Sequence, residues 1–271
     1  LTASGRTYGT KINFRGKEYE VELATPEAFE GIDIVLSSAG ANVSIELAPE
    51  IVKRGAVIID NTSAFRMEKD VPLVVPEINA HTLKNHKGII ANPNCSTIQL
   101  VMALKPLHDY TPLKRVLVST YQSVSGAGKE AVEEMYQQSR DVLDGTYKKP
   151  EKTILPQSIA FNVIPHGGTF YENGYTDEEI KVTNETRKIM ELPNLAISAT
   201  SVRVPVVIGH SETVNVEFEK PVEIEKVREV LSAFEGVVVM DNPSKLEYPM
   251  PFELAGRDEV FVDHANLAGS S

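Results

Sequence analysis

With a single cysteine, Cys95, in 271 residues, the chain can form no internal disulfide and no multi-cysteine zinc site. The expectation is a protein of a reducing, cytoplasmic setting without a metal centre. Long uncharged apolar runs are missing too, so no segment presents itself as a membrane span. Positive charge is in deficit. Twenty-seven Lys and Arg against 38 Asp and Glu leave a net charge of −11, and an acidic surface of this kind repels nucleic acid and anionic membranes alike. What is there is ordinary globular material, 42% hydrophobic and 24% charged, long enough for one large domain or two of common size. The first residues, 1–6, carry no initiator methionine, no basic region leading into an apolar core and no cleavage site, and read as a cut rather than a signal. The small polar end, 263–271, reads as incomplete as well.

Residues 10–24 alternate around Arg15-Gly16-Lys17, with Ile12 and Phe14 before it and Tyr19, Val21 and Leu23 after it, as in a hairpin. From Asp33 the rhythm changes. An apolar run ending in Ser37-Ser38-Ala39-Gly40 leads to a helical stretch that stops at Gly55, and Ala56 to Asp60 is the next strand, a unit that builds parallel sheets. Val71 to Val75 and Gly88 to Ala91 add two apolar segments, so the chain reads as α/β up to about residue 94. Beyond it the elements lengthen. Helices are expected from Ser96, over Lys129 to Val142, Asp177 to Met190 and Ile224 to Phe234, and strands over Arg115 to Tyr121, Ala196 to Ile208, Thr213 to Phe218 and Val237 to Met240. Residues 143–158 read as a polar loop. This second part fits an α+β domain with a mixed or antiparallel sheet covered on one face by helices.

Cys95 stands in Asn92-Pro93-Asn94-Cys95-Ser96-Thr97, after a strand and before a helix. There a thiol meets the positive end of a helix dipole and its free N–H groups, which favour thiolate and lower the pKa. A buried structural cysteine would have apolar neighbours; two asparagines, a serine and a threonine point to a nucleophile. A base is then needed, and the histidines are 81, 86, 108, 166, 210 and 264. The first three sit in solvated surroundings. His210 stands out because Arg203-Val204-Pro205-Val206-Val207-Ile208-Gly209-His210 carries an Arg and a His at the two ends of one apolar segment. Seven residues apart on an unbroken strand they would face opposite ways, and Pro205 and Gly209 supply bends that bring them to one side. An Arg and a His capping a strand at the surface fit the same residues equally. Tyr121 to Lys129 is a strand running into a small-residue loop and then a helix, which suits close approach of a ligand to backbone N–H groups and equally suits a tight turn.

Five segments, in chain order, resemble the aspartate-semialdehyde dehydrogenases: Asp60-Asn61-Thr62-Ser63-Ala64-Phe65-Arg66, Asn92 to Thr97, Tyr121-Gln122 through Gly128, Arg203 through His210, and Phe252-Glu253-Leu254-Ala255-Gly256-Arg257-Asp258-Glu259-Val260-Phe261-Val262. The resemblance runs from residue 1 to about 262. It implies NADPH-dependent reduction of L-aspartyl 4-phosphate to the semialdehyde through a cysteine thioester, on the route to lysine, threonine, methionine and diaminopimelate, in a cytoplasmic homodimer. By resemblance Cys95 is the acyl-forming nucleophile, His210 the general acid/base with an imidazole near its ordinary pKa of ~6.5, and Gln122 an orienting group. Arg203 would pair with the substrate carboxylate, as suits a planar bidentate donor. Glu178 would take the ammonium, Lys181 and Arg66 the phosphate, and Asn94 would assist the oxyanion. On the residues alone Glu178 and Lys181, three apart on a helix, read as a surface ion pair. The cofactor would touch Ser4, Arg6, Thr7, Ser38, Gly40, Ser125 and Gly126, with Arg6 meeting a 2′-phosphate and favouring NADP.

The resemblance divides the chain into an incomplete Rossmann-like dinucleotide-binding domain, 1–94, a catalytic and dimerisation domain, 95–245, and a return segment, 246–271. The family's glycine-rich pyrophosphate turn and first βα unit would lie upstream of residue 1, and the long helix after its Val-Phe-Val strand has no clear counterpart in 263–271. The expectation is therefore that the chain as given binds NADP weakly or not at all. Two rival readings stand beside this one: a related acyl-phosphate reductase such as the acetylglutamyl phosphate enzyme, and a catalytically silent dimerisation module. Arg203 together with Glu178 suits a free amino-acid head group better than an acylated one, which has no ammonium.

Overall fold

The computed structural model describes residues 2–3, 7–263 and 265–266. The chain falls into two compact units, one ending at Asn94 and one beginning at Cys95.

In the first unit a short strand β1 (Thr2–Ala3) pairs in parallel with β4 (Glu22–Leu23), and β2 (Lys11–Phe14) and β3 (Lys17–Glu20) form an antiparallel hairpin. Its turn places Arg15 and Gly16 in the left-handed region, at φ 51° and 77°. Next come β5 (Ile34–Ser37), α1 (Ala41–Lys53), β6 (Val57–Asp60), a single-turn helix α2 (Pro76–Asn79) and β7 (Ile89–Ala91). Strands β5, β6 and β7 run parallel in that order. Ala48 and Ile51 of α1 bury against Phe29, Ala56 and Ile58, which fastens the helix to the sheet. The edge strand β5 departs from the buried strand its apolar run suggests, leaving Leu36 79% exposed, because α1 covers only one of its faces. Val71 to Val75 forms no strand beyond an isolated bridge from Leu73 to Ala91.

The second unit opens with α3 (Cys95–Tyr110), followed by β8 (Leu113–Gln122), α4 (Lys129–Leu143), α5 (Asp177–Ile189), β9 (Ala196–Arg203), β10 (Ser211–Phe218), α6 (Ile224–Ala233), β11 (Val237–Val239) and β12 (Val260–Val262). The sheet order is β10-β8-β9, antiparallel on one side of β8 and parallel on the other. Alternation decides its faces: Val116, Val118, Thr120 and Gln122 are buried, while Leu117 and Tyr121 are exposed. Strand β12 pairs in parallel with β11. Residues 143–158 form no regular element after Leu143. Strand β9 ends at Arg203 rather than running to Ile208, since Pro205 has no N–H to give a ladder. No helix is long and apolar enough to cross a membrane among the described residues.

Candidate active site

Helix α3 begins on Cys95 itself, so the thiol occupies the first helical position, beside the free backbone N–H groups of the first turn. Four other elements bring side chains to it. Gln122 and Arg203 are the last residues of β8 and β9 and are direct partners in the ladder. After Arg203 the chain leaves the sheet, turns through Gly209 at φ 86°, and re-enters as β10 with Ser211 opposite Tyr121. His210 is thereby returned to the sheet end it would otherwise have left. The departing segment is laced to the end of β8 and the loop after it by three backbone bonds: Val204 N to Gln122 O at 2.9 Å, Val124 N to Val206 O at 2.8 Å and Ser125 N to Val207 O at 3.0 Å.

His210 Nε2 lies 3.2 Å from Cys95 Sγ. On the ring's other side Nδ1 accepts the backbone N–H of Ser123 at 2.9 Å and lies 3.0 Å from the Ser123 hydroxyl. Arg203 Nη1 donates to Ser123 O at 2.7 Å. Gln122 Nε2 donates to Ser96 Oγ at 3.0 Å and to Glu178 Oε1 at 3.1 Å. Glu178 is set by the start of α5. Thr176 and Glu179 cap that helix reciprocally, and the Glu178 N–H reaches Gly167 O at 3.2 Å. Gly167 is required there, because a Cβ would stand 2.7 Å from Glu178 Cβ.

The electrostatics correct two sequence expectations. The thiol is pushed up rather than lowered, first by burial and then by the Glu178 charge. Arg203 and the backbone N–H groups of Ser96 and Cys95 pull the other way and are outweighed. Cys95 is solvent-exposed and still crowded enough for desolvation to dominate. His210 is pushed down to about 4 rather than standing near 6.5, by burial first and the Arg203 charge second, against Glu178. Burial also lowers Arg203, opposed by Glu178 and Cys95. The resting pair is a neutral thiol beside a neutral imidazole.

Lys181 pairs more closely with Asp177, at 2.8 Å, than with Glu178, at 3.7 Å, because the i,i+4 spacing reaches better than i,i+3 here. Ser125 Oγ stands 3.1 Å from Ser123 Oγ. The Gly126 backbone passes so near that a Cβ would meet Arg203 Nη1 at 3.0 Å and His210 Cε1 at 3.2 Å. Ser123 and Ser96 are members of this cluster that sequence reasoning did not single out, although both flank residues it named.

The remaining named residues lie in the first unit. Arg66 is buried and its Nη2 donates to Asn61 O at 2.9 Å, and Asn94 is buried. Thr7 is exposed in a turn, its carbonyl accepting from Thr10. Ser4 and Arg6 lie outside the described residues. At the carboxyl ends of β5, β6 and β7 a polar row forms: Asn92 Nδ2 donates to Asn61 Oδ1 at 2.7 Å, and Asn61 Nδ2 to Ser38 Oγ at 3.4 Å. Gly40, at φ 98°, leaves open space where a side chain would stand. A polar row and a bare backbone outside the carboxyl ends of parallel strands suit a nucleotide.

Residues 1–86 match the family model described as semialdehyde dehydrogenase, NAD binding domain, and residues 104–265 the one described as semialdehyde dehydrogenase, dimerisation domain. The aspartate-semialdehyde dehydrogenase of Aquifex aeolicus is 53% identical over 265 residues, covering 97% of this chain and 78% of that protein. Among solved structures, aspartate semialdehyde dehydrogenase II of Vibrio cholerae superposes with a TM-score of 0.90 at 41% identity, over 97% of this chain and 78% of that one. The same enzyme complexed with ASA gives 0.89 at 41%, over 96% and 77%. The Candida albicans enzyme with NADP gives 0.68 at 25% identity, over 95% and 78%.

Proposed function

The chain belongs to the aspartate-semialdehyde dehydrogenase family, and from that premise we propose that it reduces L-aspartyl 4-phosphate to L-aspartate 4-semialdehyde, using NADPH and a thioester on Cys95. The observation that carries the reading is the 3.2 Å approach of His210 Nε2 to the one cysteine, with Arg203, Glu178 and Gln122 gathered around it. A nucleophile and a proton carrier stand beside a cation for a carboxylate and an anion for an ammonium.

The thiol proton passes to His210 as sulfur attacks the β-carbonyl. Backbone N–H groups at the start of α3, with Asn94, meet the oxyanion. Phosphate leaves toward Lys181; a role for Arg66 in holding it rests on the family resemblance. Binding of the substrate carboxylate neutralises Arg203, which relieves one of the two pressures keeping the imidazole unprotonated. When bound, the nicotinamide dinucleotide supplies the hydride that reduces the thioester. His210 then returns its proton as the thiohemiacetal forms, and Cys95 departs as that adduct collapses to the aldehyde.

Ser38, Gly40, Asn61 and Asn92 are the residues of the first unit suited to the dinucleotide; a cofactor role for Ser125 and Gly126 rests on the family resemblance. NADP rather than NAD is favoured by the Arg6 side chain and by the NADP-bound Candida albicans relative. The dimerisation domain pairs two copies, offering a sheet with one exposed face; a monomer in sedimentation velocity would contradict it. Steady-state kinetics test the residue roles. Cys95→Ala should abolish turnover, His210→Asn should lower kcat roughly a hundredfold with KM little changed, and Arg203→Leu should chiefly raise KM. Near wild-type turnover of either Cys95→Ala or Cys95→Ser would sink the reading.

A further inference from the structure

Ser123 is fully buried and touches no reacting atom in the scheme above, yet all three of its polar groups are spent on the site. Its N–H and its hydroxyl lie 2.9 and 3.0 Å from His210 Nδ1, and its carbonyl receives Arg203 Nη1 at 2.7 Å. Among the described residues, both groups within hydrogen-bond distance of Nδ1 belong to this serine. They differ in one respect. A backbone N–H can only donate, so by itself it holds the ring in the neutral form with the proton on Nε2, facing sulfur. A hydroxyl can donate or accept, and the Ser125 hydroxyl, 3.1 Å behind it, can take the complementary part in either sense.

Proton transfer at Nε2 requires ring states that the N–H disfavours. To take the thiol proton, Nε2 needs a free lone pair, so the ring proton must sit on Nδ1. After transfer the imidazolium carries protons on both nitrogens. Each of these states puts an N–H at Nδ1, and each needs an acceptor there. We propose that Ser123 is the positioning residue of the reaction: its carbonyl holds Arg203, its amide holds His210 while Nδ1 is unprotonated, and its reversible hydroxyl is the acceptor that holds the ring when His210 carries a proton on Nδ1, so that the imidazole can act as both base and acid. When Oγ accepts from Nδ1, its own proton turns toward Ser125 Oγ; when Oγ donates to Nδ1, Ser125 turns its proton toward Ser123. The two hydroxyls only turn; the ring changes tautomer by giving its Nε2 proton to solvent water on the exposed Cys95 side and taking one back on Nδ1, so that no proton is gained or lost. The charged and titratable groups bearing on the ring are Cys95 of α3, Arg203 at the end of β9 and Glu178 of α5, none of which is held by the Ser123 hydroxyl.

The inference rests on the proposed reaction for its kinetic readout and on the imidazole alone for a second. In Ser123→Ala the backbone amide and carbonyl are kept and, among the described residues, the one acceptor at Nδ1 is lost. Turnover should then fall about tenfold or more while the KM for the acyl phosphate, set by Arg203, stays within about twofold. In the absence of any substrate, the share of His210 carrying its proton on Nδ1, read from the imidazole nitrogen-15 shifts, should fall severalfold, because that tautomer loses its acceptor. Ser123→Thr keeps the hydroxyl and should return both readouts toward wild type. Wild-type kcat in Ser123→Ala, or an unchanged tautomer ratio, would overturn the proposal; so would Ser123→Thr matching Ser123→Ala in both readouts while melting at the wild-type temperature. A tautomer difference between wild type and Ser123→Ala in a chain that does not reduce the acyl phosphate would instead overturn the proposed reaction and leave the role of Ser123 standing.

Discussion

Cys95 and His210 are pushed in opposite directions by a common cause. Burial penalises the charged form of each, raising the thiol and holding the imidazole at about 4. The pair is therefore stored as two neutral groups, and in the proposed reaction the ion pair forms only when substrate arrives. Without substrate, alkylation of this single thiol should be slow at pH 7 and still rising above pH 8.5, whereas a thiolate stored by the helix dipole would react at a rate already level at neutral pH. A flat profile between pH 6 and 8 would contradict the neutral pair. The setting of Cys95 was legible in the sequence from its polar strand-to-helix context, whereas for His210 the bends at Pro205 and Gly209 left a surface cap equally open and it was the family resemblance that singled it out. Their protonation was not legible, because the dipole of α3 is local and visible in the chain, while burial follows from how the elements pack and the Glu178 charge comes from a residue more than eighty positions away. Ser123 was illegible for a related reason: two of its three site contacts are made by backbone atoms, which any residue type supplies.

At the scale of elements, one end of the sheet does the positioning, and Glu212 marks where helix and sheet are tied. It stands on β10 opposite Thr120 and meets Gln99 of α3, one turn along the helix from Cys95. Its Oε1 is shut off from solvent without a hydrogen-bond partner among the described residues, and burial pushes the carboxyl up to about 8. The consequence for stability has a definite sign. Below about pH 4.5 the carboxyl is neutral whether folded or unfolded. Between 4.5 and 8 only the unfolded chain ionises, so stability is lost as pH rises through that window, and above 8 the loss stays constant. Glu212→Gln remains neutral throughout. Its melting temperature should gain on wild type from pH 4.5 to 8 and then hold a fixed margin; a margin independent of pH would show that the carboxyl is ionised in the fold. Most helices and strands were readable from periodicity, α4, α5 and β10 to within two residues of the expected bounds. β9 was overextended because the apolar run through Val204 to Ile208 carries strand propensity that Pro205 overrides. The choice of Asp177 over Glu178 by Lys181 depends on side-chain reach, which spacing alone left undecided.

For the whole molecule, the two units divide the work: parallel strands whose carboxyl ends suit a nucleotide, and a mixed sheet whose end holds thiol, imidazole, guanidinium and carboxylate together. A polar row of Ser38, Asn61 and Asn92 has no use in a dimerisation module that does no chemistry, and an arginine and a glutamate beside the thiol have no use for an acylated amino group. The central claim is that the substrate becomes covalently attached to Cys95 on the way to the aldehyde. The most direct measurement is to mix the chain with aspartyl phosphate without reductant, quench in acid within milliseconds, and examine the intact protein and its peptides by mass spectrometry. An aspartyl adduct confined to the peptide bearing Cys95, released by hydroxylamine and absent from Cys95→Ala, is the predicted result. Phosphate released without an adduct, or an adduct that persists in Cys95→Ala, would contradict the account.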